Sequence, residues 1–212
     1  MTKLGLCTTP HFLPNTQEDR ELYPPYYRSI LYSLSDLERL KTLNRPLIIT
    51  LNNQCLEVGN DWSGWKTSIN YICDSLRNKL LVLGCGNELD LYWKDNNNDV
   101  PPEFAAELVY SAHSVTKNYG VKLAPTSVAS SVWPTYLEQL YPLVKDYVDY
   151  FDIHPYGQQP DGWGPPSWFH GKLVNVIAQA RNIINNHSII CTEYGVKIQD
   201  AGSPLEVTNF MK

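Results

Sequence analysis

Residues 80–88 read Leu-Leu-Val-Leu-Gly-Cys-Gly-Asn-Glu, an apolar run that leads directly into Asn87 and Glu88. A nearly continuous apolar run of this length is typical of a strand that is buried on both faces of a parallel sheet. In parallel α/β folds, active sites lie at the carboxyl ends of the strands. The stretch therefore predicts a buried strand whose far end presents a carboxylate at a functional site.

Five further runs of this kind alternate with helix-like segments along the chain. The six predicted strands are Lys3–Thr8, Pro46–Leu51, Leu80–Cys85, Val121–Pro125, Tyr150–His154 and Ser188–Thr192. The predicted helices are Tyr26–Leu43, Trp65–Arg77, Pro102–Tyr119, Thr135–Tyr147 and Lys172–Asn185, and another begins after Ser203. Strands joined by helical crossovers form a parallel sheet covered by helices, either a doubly wound open sheet or a closed (β/α)8 barrel. Alternation alone does not choose between them.

A second carboxylate follows the last of these strands, in the stretch Ser-Ile-Ile-Cys-Thr-Glu that ends at Glu193. At roughly 30 residues per strand-helix unit, about three units separate Glu193 from Glu88. Strands three places apart face each other across the rim of a closed barrel, whereas in an open sheet they lie far apart. Cooperation between Glu88 and Glu193 would therefore require the barrel. Paired carboxylates suit the cleavage of glycosidic bonds, in which one protonates the leaving oxygen and the other attacks the sugar carbon.

A third motif, Asp-Ile-His-Pro-Tyr-Gly at residues 152–157, precedes Glu193 by one strand. Together the three motifs resemble the retaining glycoside hydrolases of the clan-A barrel superfamily, which includes cellulases, mannanases and β-xylosidases. The resemblance implies a (β/α)8 TIM barrel with Glu88 as general acid/base and Glu193 as nucleophile. It also implies that Asn87 binds the sugar 2-hydroxyl, and that His154 and Tyr156 hydrogen-bond near the nucleophile.

The chain departs from that family at several points. Leu89 stands where Pro usually follows the Asn-Glu pair, and the sequence pattern does not reveal the Arg that many members carry on an early strand. Counting by the family's register makes Lys3–Thr8 strand two and Ser188–Thr192 strand seven, so strands one and eight are not evident. We therefore expect one catalytic barrel domain over residues 1–212, truncated at one or both ends.

Aromatic residues are numerous, with six Trp and fourteen Tyr. Indole rings stack on the apolar faces of sugars, so Trp residues that follow strands would form carbohydrate subsites, although each could instead cover the core. The candidate residues for substrate binding are Trp62, Trp93, Trp133 and Trp163. Asn52 is a further candidate at a strand end, although Asn also ends strands for local turn reasons.

Composition excludes several other classes of protein. A net charge of -5 argues against a broad nucleic-acid surface, and no apolar run approaches the roughly 20 residues needed to cross a membrane. The start of the chain lacks the apolar stretch of a signal peptide, which predicts a cytoplasmic protein, or a secreted one if the N-terminus is truncated. The five cysteines form no CxxC pair, and neither a metal ion nor an organic cofactor is expected.

The sequence therefore predicts a cellulase-like glycosidase of carbohydrate metabolism that hydrolyses β-linked glycosides or oligosaccharides with retention. The alternative is a catalytically inactive carbohydrate-binding barrel fragment. An ester hydrolase on an open sheet would need a GxSxG nucleophile elbow, which the sequence lacks. An incomplete barrel would expose strand edges, so a homo-oligomer formed through them is a further expectation.

Overall fold

The computed structural model describes residues 6–8, 27–52, 62–95, 100–129, 133–154, 158–159, 162–163 and 176–193. The strands are β1 (Leu6–Thr8), β2 (Tyr27–Leu31), β3 (Leu47–Leu51), β4 (Leu80–Gly84), β5 (Lys122–Ala124), β6 (Tyr150–Asp152) and β7 (Ser188–Ile190). The helices are α1 (Leu37–Lys41), α2 (Trp62–Ser75), α3 (Leu89–Asp95), α4 (Pro102–Thr116), α5 (Trp133–Val144) and α6 (176–184). Gln158–Gln159 and Gly162–Trp163 form a short antiparallel pair.

The seven strands run parallel and follow one another in chain order. β1 to β5 form one sheet in that order, and β6 pairs with β7. A parallel bridge between Val128 and Ile153 joins the segments that continue β5 and β6. The strand order of a doubly wound sheet reverses near its middle, whereas this order does not reverse within the described residues. The arrangement is that of a (β/α) barrel, as the sequence predicts.

The hydrophobic core lies between the sheet and its surrounding helices. Alternate residues of β3, namely Leu47, Ile49 and Leu51, are fully buried, because a strand turns every second side chain to the same face. Helix α2 packs against α4, where the indole Nε1 of Trp65 donates to the carbonyl of Leu108 at 3.3 Å. The core therefore fixes the strands, and the strands fix the positions of the residues that follow them.

The prediction of one helix over Tyr26–Leu43 is wrong. The structure has β2 first, then a single 3-10 turn over Leu34–Asp36, and only then the short helix α1. The Asp36 carboxylate accepts hydrogen bonds from the backbone N–H of Ser33 at 3.1 Å and from its hydroxyl at 3.3 Å, so the helical part begins at this cap. The predicted strand numbering changes with it.

Leu6–Thr8 is the first strand of the barrel rather than the second, because β2 lies between it and β3. Ser188–Ile190 is still strand seven. The predicted numbering assumed a missing first strand and overlooked β2, and these two errors cancel in the count. No eighth parallel strand occurs among the residues that the structure describes. The helix predicted after Ser203 lies outside them.

The remaining helices agree with the sequence in position but not at every boundary. Helix α2 begins at Trp62 rather than Trp65, and the sequence did not predict the short helix α3. Pro142 lies inside α5, which continues through it to Val144. In the described part of the chain, every helix is too short or too polar to span a bilayer.

Candidate active site at the carboxyl ends of the strands

The turn that follows β4 presents Glu88 in an unusual backbone conformation. Glu88 has a φ of 55°, in the left-handed region that non-glycine residues seldom adopt. Its N–H donates to the hydroxyl of Ser127 at 3.0 Å, and the N–H of Leu89 donates to the hydroxyl of Thr126 at 3.1 Å. The segment after β5 therefore holds the strained turn that carries the carboxylate.

Two further features fix this turn. A Cβ atom at Gly86 would lie 2.9 Å from Cδ1 of Leu89 and 3.2 Å from the hydroxyl of Thr126, so the chain has no room for a side chain there. Asp90 is fully buried, and its carboxylate accepts the backbone N–H of Ala129 at 3.1 Å. Both features tie the end of β4 to the end of β5.

Glu193, beyond β7, is held by a cation from the opposite side of the barrel. Arg28, on β2, donates from Nη1 to the Glu193 carboxylate and from Nη2 to the side-chain oxygen of Asn87 at 3.1 Å. The Arg28 side chain is only 5% exposed. A buried guanidinium in contact with a carboxylate stabilises its ionised form, which is the form that a nucleophile requires.

Glu88 has a different neighbour, the buried imidazole of His154. Nδ1 of His154 lies 2.8 Å from Oε1 of Glu88, and Nε2 lies 2.9 Å from the hydroxyl of Thr192. The Asp152 carboxylate accepts that hydroxyl at 2.6 Å and lies 3.5 Å from Nε2. His154 thus links Glu88 to a buried polar group behind it.

The charges around His154 oppose the effect of its burial. Burial lowers the pKa of His154, but Asp152, its hydrogen bonds and the nearby Glu88 and Glu193 raise it to about 9. Burial works to raise the pKa of Asp152, but the charge of His154 and the hydrogen bonds from His154 and Thr192 hold this pKa below its usual value. An imidazolium–carboxylate pair therefore lies beneath the site at neutral pH.

The structure brings the two predicted catalytic carboxylates together. A carboxylate oxygen of Glu88, one of Glu193 and a ring nitrogen of His154 lie within 4.8 Å of one another. Three such atoms could also bind a metal ion, but the guanidinium of Arg28 and a protonated His154 would both repel it. The geometry favours chemistry in which the carboxylates themselves take part.

Asn87 and Asn52 lie near this rim. Asn87 accepts a hydrogen bond from Arg28 and lies beside Glu88, whereas Asn52 directly follows β3 and donates its N–H to the carbonyl of Leu31 at 2.9 Å. Tyr156 lies outside the described residues. The backbone of Trp62 opens α2, and that of Trp163 belongs to the short antiparallel pair.

The other two candidate tryptophans, Trp133 and Trp93, pack into the protein. Trp133 is 8% exposed and belongs to the core cluster. Trp93 packs edge-on against the buried ring of Tyr136, with ring centroids 5.5 Å apart. Both indoles cover the core in this structure, which was the other interpretation that the sequence left open.

Arg28 is the residue that sequence reasoning missed. It was assigned to a helix, although the flanking Tyr27, Ile30 and Tyr32 include residue types that are enriched in strands. The carboxyl side of that segment also carries the Ser33–Asp36 cap, which marks where a helix can start. Read together, these two signals would have placed Arg28 on an early strand.

No family model matches the sequence, and no curated protein matches it. Solved structures do match. A GH128 (subgroup I) endo-β-1,3-glucanase from Amycolatopsis mediterranei, in complex with laminaritriose, is 16% identical, with a TM-score of 0.56 over 92% of this chain and 72% of that chain. CJP38, a β-1,3-glucanase and allergen of Cryptomeria japonica pollen, is 14% identical, with a TM-score of 0.62 over 92% and 75%.

The catalytic domain of a mannanase from Streptomyces sp. SirexAA-E is also similar, at 14% identity and a TM-score of 0.58 over 97% of this chain and 69% of that chain. The chain has the fold of the TIM-barrel glycoside hydrolases. At these identities the likeness concerns the fold, and the function has to be argued from the site itself.

Proposed function

We propose that this protein hydrolyses β-linked glycosides or oligosaccharides with retention of configuration, with Glu193 as nucleophile and Glu88 as general acid/base. One observation carries the proposal: carboxylate oxygens of Glu88 and Glu193 lie within 4.8 Å of each other. Retaining glycosidases place their carboxyl groups about 5 to 5.5 Å apart, whereas inverting enzymes leave roughly 6.5 to 9.5 Å for a water molecule.

The surroundings of the two carboxylates support this division of roles. Glu193 accepts a hydrogen bond from Arg28, and a guanidinium at this distance favours the carboxylate form that a nucleophile needs. Glu88 lies against His154, and His154 in turn contacts a buried carboxylate. The two carboxylates therefore have different partners, as a pair with different roles requires.

The reaction has two steps. In the first, a Glu193 oxygen bonds to the anomeric carbon while Glu88 transfers its proton to the departing glycosidic oxygen. In the second, Glu88 takes a proton from water, the water oxygen bonds to the anomeric carbon, and the bond to Glu193 breaks. Two inversions at the same carbon restore the original configuration.

The structural neighbours support a choice of substrate class. Among the similar structures are β-1,3-glucanases and a mannanase, and one of them holds laminaritriose. We therefore expect the substrate of this chain to be a β-linked glucan or mannan. A panel of β-1,3-glucan, β-1,4-glucan, β-mannan and aryl β-glycosides covers these possibilities.

Proton NMR of the sugar released at early times tests the proposal, because a retaining enzyme first releases the β-anomer. We expect Glu88→Gln and Glu193→Gln each to reduce hydrolysis by at least about 10³-fold, since neither amide can carry out its step. Glu107→Gln, an exposed substitution on α4, serves as the matched control and should leave the rate unchanged. Release of the α-anomer first would contradict retention.

Calorimetry on the same oligosaccharides separates the enzyme from the inactive carbohydrate-binding barrel. Binding by the wild-type protein without any product, on every substrate of the panel, would contradict the proposed hydrolysis and favour the binding barrel. Azide provides a second check. Glu88→Ala should yield a β-glycosyl azide, because the small anion replaces water in the second step, whereas Glu193→Ala should yield the α-azide.

A further inference from the structure

Two residues behind His154, the buried Asp152 and the half-buried Thr192, take no direct part in the reaction proposed above. The Thr192 hydroxyl donates to Oδ2 of Asp152 at 2.6 Å, and the Thr192 N–H donates to Oδ1 at 3.1 Å. Asp152 ends β6 and is 3% exposed, while Thr192 lies two residues beyond β7. Thr192 thus donates one hydrogen bond to each oxygen of the Asp152 carboxylate, and this pair joins the ends of two neighbouring strands.

This pair determines which nitrogen of His154 carries a hydrogen. An ionised carboxylate only accepts hydrogen bonds, so the hydroxyl hydrogen of Thr192 has to point at Asp152. The hydroxyl oxygen of Thr192 therefore presents a lone pair to Nε2 of His154, which lies 2.9 Å away. Nε2 therefore donates a hydrogen to Thr192.

The charges around the ring favour a second hydrogen on Nδ1. Carboxylates approach His154 from three segments, namely Asp152 at the end of β6, Glu88 after β4 and Glu193 after β7. Arg28 from β2 supplies one positive charge to this group. One guanidinium does not balance Asp152 and Glu193, even when Glu88 carries its proton, and a protonated His154 brings the group closer to neutrality.

We propose that Asp152 and Thr192 are positioning residues that hold His154 as a donor on both nitrogens, so that Oε1 of Glu88 is always an acceptor and Oε2 carries the transferred proton. The inference rests on the proposed function and assigns different tasks to the two oxygens of the acid/base. Nδ1 lies 2.8 Å from Oε1. That contact stays unchanged while Oε2 gives its proton to the glycosidic oxygen and later recovers one from water.

The device has a physical advantage for a carboxylate that alternates between acid and base. If Nδ1 carried no hydrogen, its lone pair would point at a lone pair on Oε1 of ionised Glu88. The two would repel each other after every proton transfer. A fixed donor at Oε1 keeps the carboxyl group in one orientation in both states. The proton on Oε2 then always faces the substrate side of the rim.

Nitrogen NMR of the His154 ring tests the inference without requiring activity, and His154→Gln assigns the signal among the five histidines. We expect Asp152→Asn to lower the pKa of His154 by roughly 2 units, because the adjacent negative charge is lost. Thr192→Val should also lower it, whereas Thr192→Ser, which keeps the hydroxyl, should restore the wild-type titration. Asp149→Asn, near the opposite end of β6 in a partly exposed ion pair with Lys122, is the matched control and should leave the titration of His154 unchanged.

A His154 titration that is unchanged in both Thr192→Val and folded Asp152→Asn overturns the inference, whatever the activity. Thr192→Val keeps the test valid if Asp152→Asn fails to fold. Kinetics supply the second measurement: the basic limb of the kcat/KM profile should move in Thr192→Val and return in Thr192→Ser. A shifted titration in a protein that hydrolyses no glycoside contradicts the proposed function while supporting the positioning of His154.

Discussion

The guanidinium of Arg28 contacts the carboxylate of Glu193, although 165 positions separate the two residues in the chain. Arg28 lies on the second strand and Glu193 beyond the seventh, and the same guanidinium reaches Asn87 after the fourth. Such a contact requires the sheet to curve until these strand ends face one another. The ion pair therefore reflects the curvature of the barrel, and it places a positive charge next to the Glu193 carboxylate.

Arg28→Met should reduce kcat/KM by about 100-fold or more, because it removes two donors from the site and leaves the Glu193 carboxylate without its cation. Arg28→Lys should recover little, since an ammonium group cannot reach both Glu193 and Asn87 as the planar fork does. Steady-state kinetics on an aryl β-glycoside measure the change. Arg77→Met, which removes an exposed ion pair with Asp74, should behave as the wild type.

Glycine at position 88 should make the protein more stable than alanine does, by about 1 kcal/mol. Both variants lose the side chain, but only alanine has to adopt the left-handed φ of this turn. Urea unfolding compares Glu88→Gly with Glu88→Ala. The matched pair Glu107→Gly and Glu107→Ala, on an exposed position of α4, should show the opposite order. If the alanine variant were the more stable one at both positions, the result would contradict a strained turn at Glu88.

The raised pKa of His154 predicts a loss of stability in mild alkali. A group whose folded-state pKa lies above its unfolded value stabilises the protein fully below the unfolded value, about 6.5 for His, and this contribution is lost by the folded value of about 9. The loss should approach about 3 kcal/mol. Urea unfolding from pH 6 to 9.5 measures it. His154→Gln should show a flatter profile, and identical slopes would contradict a charged His154.

Trp93→Ala should cost about 2 kcal/mol or more in unfolding free energy, because the indole packs edge-on against the buried Tyr136. Trp93→Phe should restore much of this stability. We expect the KM for oligosaccharides to stay nearly constant in both variants. A tenfold rise in KM with unchanged stability would show instead that Trp93 contacts the sugar.

The sequence was sufficient for the parts of the site that stand directly after apolar runs. Glu88 and Glu193 follow such runs, and the parallel order brought them to one rim. Arg28 escaped prediction because Leu31, Leu34, Leu37 and Leu40 follow it at three-residue spacing, which favours a helix over a strand. The links from Asp152 and Thr192 to His154 are side-chain contacts between strands, which no local pattern encodes.

The closed space at Gly86 constrains how this rim can diversify. A Cβ atom there would lie 2.9 Å from Cδ1 of Leu89 and 3.2 Å from the hydroxyl of Thr126, so one of these side chains would have to move. Because that hydroxyl accepts the N–H of Leu89, a shift of Thr126 would loosen the turn of Glu88. Random mutagenesis aimed at new sugar preferences should therefore leave this position alone. A homologue with a larger residue at this position would have to present its carboxylate from a differently shaped turn.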